Sequence, residues 1–381
     1  MKSWIWGCVK IAIAAVLVWY VVGQIETQDR LEILAEDPGA EPAAAPIILN
    51  GSFSGDWRSD SWVFQPDDGG PTWHGGDARA RPQPGFFTAL RGMNLGLLAL
   101  GIASWGLLLV LSGWRWHRLL GAAGVPGSLG RALRLTFIGN FFNNIMFGAT
   151  GGDLIRAVMV TRGLQENRWR AALSVLVDRI LGLFVLLVIA AIVLTVAGEQ
   201  GDFAKIPALH KVWLAVLALV GGTVIGVSVY LSARARRALR IDALLARLPG
   251  QAVIAKVDGA LTVYRSHPRA LMEALLVSFP IQACGILSFW CFARALGADL
   301  AFSQAAVVFP VVQTVSALPL APAGWGLGET LYGFFFARYG AGFTLGVATS
   351  VLFRLATQVG WGLLGGVLWA LGRERQTKES S

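Results

Sequence analysis

Apolar positions along this chain gather into long continuous runs, divided by basic clusters and by one long polar segment. A helix needs about 20 predominantly apolar residues to cross the hydrocarbon of a bilayer. Runs of that order lie at 4–23, 93–112, 173–197, 212–231, 271–293 and 343–371, which predicts six crossings. Two other apolar stretches do not fit a simple crossing. The stretch 135–149 is too short and is followed at once by Thr150-Gly151-Gly152, while 301–339 is broken by Pro310, Pro319, Pro322, Gly324, Gly326 and Gly328. A hairpin that enters the membrane and returns to the same side accommodates both the short length and the break. The expected fold class is therefore an all-α polytopic membrane protein, with six transmembrane helices, two re-entrant hairpins of opposite polarity and a small extracytoplasmic insert.

Basic flanks set the expected sidedness, because cytoplasmic loops carry the excess of Lys and Arg. Lys2 precedes the first run; Arg131 and Arg134 precede the first hairpin, and Arg156, Arg162, Arg168 and Arg170 follow it. Arg234, Arg236, Arg237 and Arg240 follow the 212–231 run, and Arg373, Arg375 and Lys378 close the chain. Both termini are thus expected in the cytoplasm. The first run has a second reading as a signal peptide, with Val21 and Gly23 at a small-residue cleavage site. Trp114-Arg115-Trp116-His117-Arg118 reads as an aromatic and basic interface ending the second span. Residues 241–269 alternate basic and apolar positions, as helices lying along the cytoplasmic face do.

The polar segment, residues 26–81, carries a net charge of −7, so the rest of the chain carries +16. That asymmetry places it outside. Within it, 47–49 and 61–65 have strand character around a turn-rich stretch at Asn50, Gly51 and Gly55, which predicts a small β-hairpin. The expected domains are a first transmembrane helix at 1–25, an acidic insert at 26–86, a transmembrane domain at 87–372 and a cytoplasmic tail at 373–381.

Composition agrees with the pattern. Charged residues make up 14% of the chain, hydrophobic residues 55%, and the mean hydropathy is +0.59, against about 25% charged residues in a soluble domain. A soluble enzyme is excluded. Cys8, Cys284 and Cys291 lie in apolar runs, leaving no exported disulfide framework. The net charge of +9 reports orientation and anionic lipid contact; no basic stripe interleaved with aromatics points to nucleic acid. The four histidines are scattered, with no metal-ligating pair, phosphate-binding loop or dinucleotide fingerprint. No cofactor, no metal and no enzymatic activity are expected.

Candidate functional residues are those whose burial in hydrocarbon is costly. Asp178 and Arg179 lie about 12 Å along a helix from Arg170, a depth at which ionisable groups are paired or line a polar cavity. Arg354 sits well inside the last run, with Glu329 its candidate partner. The two halves of the chain resemble one another: Gly151-Gly152-Asp153 precedes Arg179 by 26 residues from the acid, and Gly326-Leu327-Gly328-Glu329 precedes Arg354 by 25. A glycine-rich break, an acid and a mid-helix arginine, once from each side, is the pattern of an inverted repeat. Arg156, Arg179 and Arg354 offer bidentate donors to a phosphate; alternatively Arg156 and Arg179 form structural salt bridges with Asp153 and Asp178, and Arg354 one that joins hairpin and helix. Gly148, Gly151, Gly152, Gly324, Gly326 and Gly328 either free backbone N–H groups for an anion or simply make turns. Asn143 and Asn144 either donate to a headgroup or bridge helices.

The stretches FIGNFFNNIMFGATGGDLIRAVMVTRG, VLVDRILGLF and SALPLAPAGWGLGETLYGFFFARYG resemble the signature regions of the lysylphosphatidylglycerol synthase transmembrane family, also called flippase-like domain proteins. The resemblance covers about residues 88–371. It implies an integral inner-membrane protein whose best-understood relatives translocate aminoacylated phospholipid between leaflets, others being uncharacterised or fused to glycosyltransferases, and it marks Gly151, Gly152, Asp153, Arg156, Asp178, Arg179, Gly326, Gly328 and Glu329 as motif residues. The chain runs ten residues past Leu371, so the soluble aminoacyl transferase domain of full-length synthases is not expected in it, and lysyl transfer is not expected of it. The acidic insert is also unlike the family's short loop. The leading expectation is a lipid translocase for an anionic or polyprenyl-linked lipid. The alternative is a non-transporting subunit that presents lipid to a glycosyltransferase or synthase partner. A lipid transferase would have only Asp153, Asp178 and Glu329 as acids.

Overall fold

A computed structural model describes residues 19, 23, 25–33, 47–59, 61–77, 79–145, 151–199, 201, 208–238, 258–259, 262–316 and 326–379 of the 381-residue chain. The expected first span, most of the 241–269 stretch, Gly148, Gly324 and the side chain of Asn144 lie outside that description. The protein is an all-α polytopic membrane protein with a small β insert. Among the described residues, five helical runs are long and apolar enough to cross a membrane: Leu95–Ala122, Arg168–Glu199, Leu209–Tyr230, Pro268–Ala295 and Phe343–Leu371. Each matches one of the expected spans; Leu95–Ala122 lacks the first two residues expected, 93 and 94, and Leu209–Tyr230 lacks the last, Leu231.

In chain order the insert provides β1 (Asp29–Ile33), β2 (Ile47–Ser54), β3 (Val63–Pro66), β4 (Trp73–His74) and β5 (Ala80–Gln83). Helices follow as α1 (Phe86–Arg91), α2 (Leu95–Ala122), α3 (Leu129–Ile145), α4 (Gly151–Thr161), α5 (Arg168–Glu199), α6 (Ala208–Leu231) and α7 (Ala233–Ala238). The second half contains α8 (Pro268–Ala295), α9 (Phe302–Ser316), α10 (Leu327–Arg338) and α11 (Phe343–Arg354), a π-helical turn (Leu355–Gly360) and α12 (Trp361–Glu379). Two short helices followed by a long helical run therefore occur twice, at α3 to α5 and at α9 to α12. Helices α3, α4, α9 and α10 have 17, 11, 15 and 12 residues, each below the length of a crossing.

The chain divides into two compact units. The first, residues 1–101, 289–304 and 325–353, holds the insert. Its sheet is antiparallel with order β4-β3-β2-β1-β5. The expected hairpin is present as β2 and β3, in the register Gly51 opposite Pro66 to Ser54 opposite Val63. Asn50 and Gly51, read from sequence as turn residues, are instead within β2, and the turn falls at 55–62. Leu31 and Phe64 are fully buried beneath the sheet. The buried carboxylate of Asp29 accepts from the Phe53 N–H at 3.1 Å and the Gly85 N–H at 2.7 Å, which ties β2 and the start of α1 to β1. In the helical part of this unit Phe289 stacks on Tyr332, ring centroids 4.4 Å apart, and meets Phe336 and Phe353 edge-on.

The second unit, residues 102–288, 305–324 and 354–381, is helical in its described parts. Its core gathers Trp116, Leu119, Ile138, Ala171, Val175 and Tyr264. The apparent interface at Trp114–Arg118 is a correction here: α2 continues to Ala122, and Trp116 and Arg115 are buried, 0% and 5% exposed. The α3–α4 hairpin closes on glycine, since a Cβ built on Gly152 would lie 1.9 Å from the Gly139 carbonyl oxygen. Substituting Gly152→Ala should lower the unfolding midpoint of detergent-solubilised protein, corresponding to about 1–3 kcal/mol of overpacking. Gly121→Ala, where a Cβ meets open space, should leave the midpoint unchanged or slightly raised.

Candidate functional site

Ionic residues in the second unit join three helices through one alternating chain of charges. Arg115 on α2 donates from Nε to Asp178 Oδ1 at 2.8 Å and from Nη2 to the Asp178 carbonyl at 3.1 Å; its Nη1 reaches Ser278 Oγ on α8 at 2.7 Å. The other carboxylate oxygen of Asp178, on α5, accepts from Arg156 Nη2 of α4 at 3.4 Å. Arg156 Nη1 donates to Asp153 Oδ1, one turn earlier on α4, at 3.3 Å, and Asp153 Oδ2 accepts from Arg179 of α5. The order is Arg115, Asp178, Arg156, Asp153, Arg179. Each carboxylate lies between two guanidiniums, which satisfies the rule that charges removed from water persist when paired and hydrogen-bonded.

Local sequence explains the alignment. Asp178 and Arg179 are adjacent, so on a helix they diverge by about 100° and meet different partners. Asp153 and Arg156 are three apart and share one face. Arg156 also lies over the Trp116 ring, 4.3 Å from its centroid, a cation–π contact strengthened by desolvation.

These groups line a cavity of about 370 Å³ whose wall also includes Asn140, Asn143, Gln282, Gln313, Arg354 and Gln358. All of its residues belong to the second unit. Its ionisable lining is four arginines, Arg115, Arg156, Arg179 and Arg354, against two aspartates, a formal net charge of +2. Among the described residues, the buried Arg156 Nε and Asn140 Nδ2 find no acceptor. Arg354 is buried and ends α11, and the π-helical turn that follows carries Gln358 onto the same wall; π turns inside helices frequently accompany functional sites.

The sequence candidates are placed as follows. Asp153, Arg156, Asp178, Arg179, Arg354 and Asn143 surround the one cavity. Asn143 Oδ1 accepts the Gly152 N–H at 2.8 Å, so this amide caps α4 and occupies one of its first free donors. Gly151 and Gly152 form the buried first turn of α4. Gly326, Gly328 and Glu329 belong to the first unit, at the start of α10. There Gly326 adopts φ 81°, a conformation that glycine reaches without strain. Glu329 is buried; it accepts the Gly326 N–H at 2.6 Å and the Ser350 hydroxyl at 3.2 Å, so its own carboxylate occupies the helix end. Sequence reasoning missed Arg115, Asn140, Gln282, Gln313 and Gln358. A signal for Gln358 was its position one turn after Arg354; the flanking tryptophans concealed Arg115.

The profile of the family described as lysylphosphatidylglycerol synthase TM region matches residues 85–365. This chain belongs to that family. Among its relatives, the UPF0104 membrane protein PH1989 of Pyrococcus horikoshii is 24% identical over 274 residues, covering 67% of this chain and 80% of the relative. A UPF0104 membrane protein of Methanothermobacter thermautotrophicus is 25% identical over 301 residues, covering 73% and 84%. The match leaves residues 26–84, the β insert, outside the family region.

Removing one carboxylate should expose the ladder's cost. Asp178→Ala leaves Arg115 and Arg156 buried without their shared counter-charge and is expected to destabilise by about 3–5 kcal/mol, read as a lost or much lowered unfolding transition in detergent. The exposed carboxylate of Asp299 provides the comparison, and Asp299→Ala should change the midpoint little.

Proposed function

We propose that this chain binds the phosphate-bearing headgroup of an anionic or polyprenyl-linked lipid in the arginine-lined cavity and moves that lipid between the leaflets of the membrane in which it sits. The observation that carries the reading is the basic lining of a cavity walled by membrane helices: its ionisable residues are four arginines and two aspartates. An anion with several acceptor oxygens suits a wall built of guanidiniums and side-chain amides. Guanidinium forms paired, parallel hydrogen bonds to phosphate.

In this reading Arg115 and Arg156 are held by the aspartates and orient the wall. Arg179 is the more exposed of the paired arginines, with a side chain 26% accessible, and contacts the headgroup together with Arg354. The lipid is moved without making or breaking covalent bonds, by a protein of the inner membrane with both termini on the cytoplasmic side. A synthase or glycosyltransferase making or using the lipid is the natural partner. Family membership supports the reading, since the resemblance implies relatives that translocate aminoacylated phospholipid.

Leaflet exchange of fluorescent lipids in proteoliposomes tests it. The intact protein should accelerate exchange of phosphatidylglycerol or polyprenyl phosphate. Arg179→Gln and Arg354→Gln, each removing a charge-assisted contact of about 1.5–3 kcal/mol, should slow it by about ten-fold or more while preserving the elution profile. Lipid binding without exchange across the whole panel would contradict translocation and identify a non-transporting lipid-presenting subunit. Exchange at full rate in both variants would remove the cavity from the pathway.

A further inference from the structure

The insert builds a second cationic cavity, in the first unit, that neither the family match nor the translocase reading assigns. It measures about 620 Å³ and is lined by the turn at Trp57 and Arg58, by Arg81 on β5, by Arg294 near the end of α8, and by the segment around Tyr339. All of these belong to the first unit. Three arginines face one carboxylate, that of Asp299. Asp299 is paired with Arg294 at 2.7 Å, but its side chain is almost wholly in solvent, where a pair of this kind holds little energy. Glu32, directly across the β1–β5 ladder from Arg81, is reached by Gln83 Nε2 at 3.4 Å and is not part of the lining.

The construction is specific. The turn after β2 is closed by the Arg58 and Ser59 N–H groups, which donate to Asp56. It delivers Arg58 to the end of α1, where the guanidinium donates to the carbonyls of Gly92 and Ala89, the favoured place for a cation at a helix C-terminus. Gly297, at φ 84°, lets the turn seat closely: a Cβ there would lie 2.4 Å from Arg58 Nε and 2.7 Å from the Trp57 ring. As seated, the buried Trp57 Nε1 and Arg58 Nε have no acceptor among the described residues. Burial pushes the Arg58 guanidinium below its ordinary value, with Asp56 acting the other way. The lining thus combines three cations and two donors without acceptors with the aromatic Trp57 and the apolar Pro82, Ala341 and Leu345.

We propose that this cavity is a binding site for a phosphoryl group, held by Arg58, Arg81 and Arg294 and distinct from the cavity of the arginine ladder. Planar guanidiniums at three points around one opening suit a tetrahedral oxyanion, and the aromatic and apolar surfaces beside them accommodate the group that bears it. The phosphoryl group has two sources, a free anion or a lipid headgroup at the membrane surface.

The test uses the full chain carrying Arg179→Gln, so that failure of the ladder cavity cannot imitate failure of this one. In the first arm, inorganic phosphate is titrated calorimetrically into the protein in phosphatidylcholine nanodiscs. In the second, phosphatidylglycerol retained by the protein is counted by native mass spectrometry. Arg81→Gln with Arg294→Gln should weaken binding at least ten-fold in one arm, whereas Arg79→Gln, which pairs locally with Asp77 and does not line the cavity, should not. Sensitivity in the phosphate arm assigns a free anion; sensitivity confined to the lipid arm assigns a headgroup. Because Arg81 is exposed on its strand, the single Arg81→Glu variant repeats the test with little risk to folding. No binding in either arm, or binding indifferent to these substitutions, overturns the proposal.

Discussion

A carboxylate between two guanidiniums, repeated once, is the interaction on which the helical unit depends. The ladder from Arg115 through Asp178, Arg156 and Asp153 to Arg179 is buried among helices whose other surfaces are apolar. Hydrocarbon does not distinguish one apolar helix from another, so apolar burial alone specifies register weakly there. A charge left unpaired in that medium is costly. The ladder thereby fixes α2, α4 and α5 in one arrangement, and Ser278 extends it to α8.

The same constraint shapes the short helices. At 11 residues α4 cannot cross a bilayer, yet it carries two members of the ladder. It is held to α3 by close glycine contact and by Asn143, which takes the Gly152 N–H. In the other unit the start of α10 is completed differently, by Glu329 acting on the N–H of Gly326 three residues before it. The two glycine-rich breaks are therefore alike in sequence and different in how their helix ends are satisfied. Packing in that unit rests on the aromatic group around Phe289.

What was legible in the sequence follows from the strength of each physical signal. The long helices were readable because hydrocarbon thickness sets their length, and the short helices because glycine and proline interrupt the apolar runs that carry them. Asp153, Arg156, Asp178, Arg179 and Arg354 stood out as ionisable groups in apolar surroundings, and all line one cavity. Arg115 was hidden because Trp114, Trp116 and His117 give it the look of a membrane interface, while in the fold α2 continues past it into the core. Glutamines such as Gln282 and Gln313 carry no charge and left no signal in apolar runs. In the insert, β1 reads Asp-Arg-Leu-Glu-Ile, too polar to announce a strand. It forms because both of its edges are paired and Asp29 is hydrogen-bonded on two sides.

The central claim is that an anionic headgroup occupies the ladder cavity. Electron cryomicroscopy of the full chain in nanodiscs containing phosphatidylglycerol addresses it most directly. The account predicts phosphate-sized density within hydrogen-bonding distance of Arg179 and Arg354, with Asp178 still held by Arg115 and Arg156. Acyl-chain density filling the cavity, or headgroup density confined to the membrane surface while the arginines contact only protein, would contradict it.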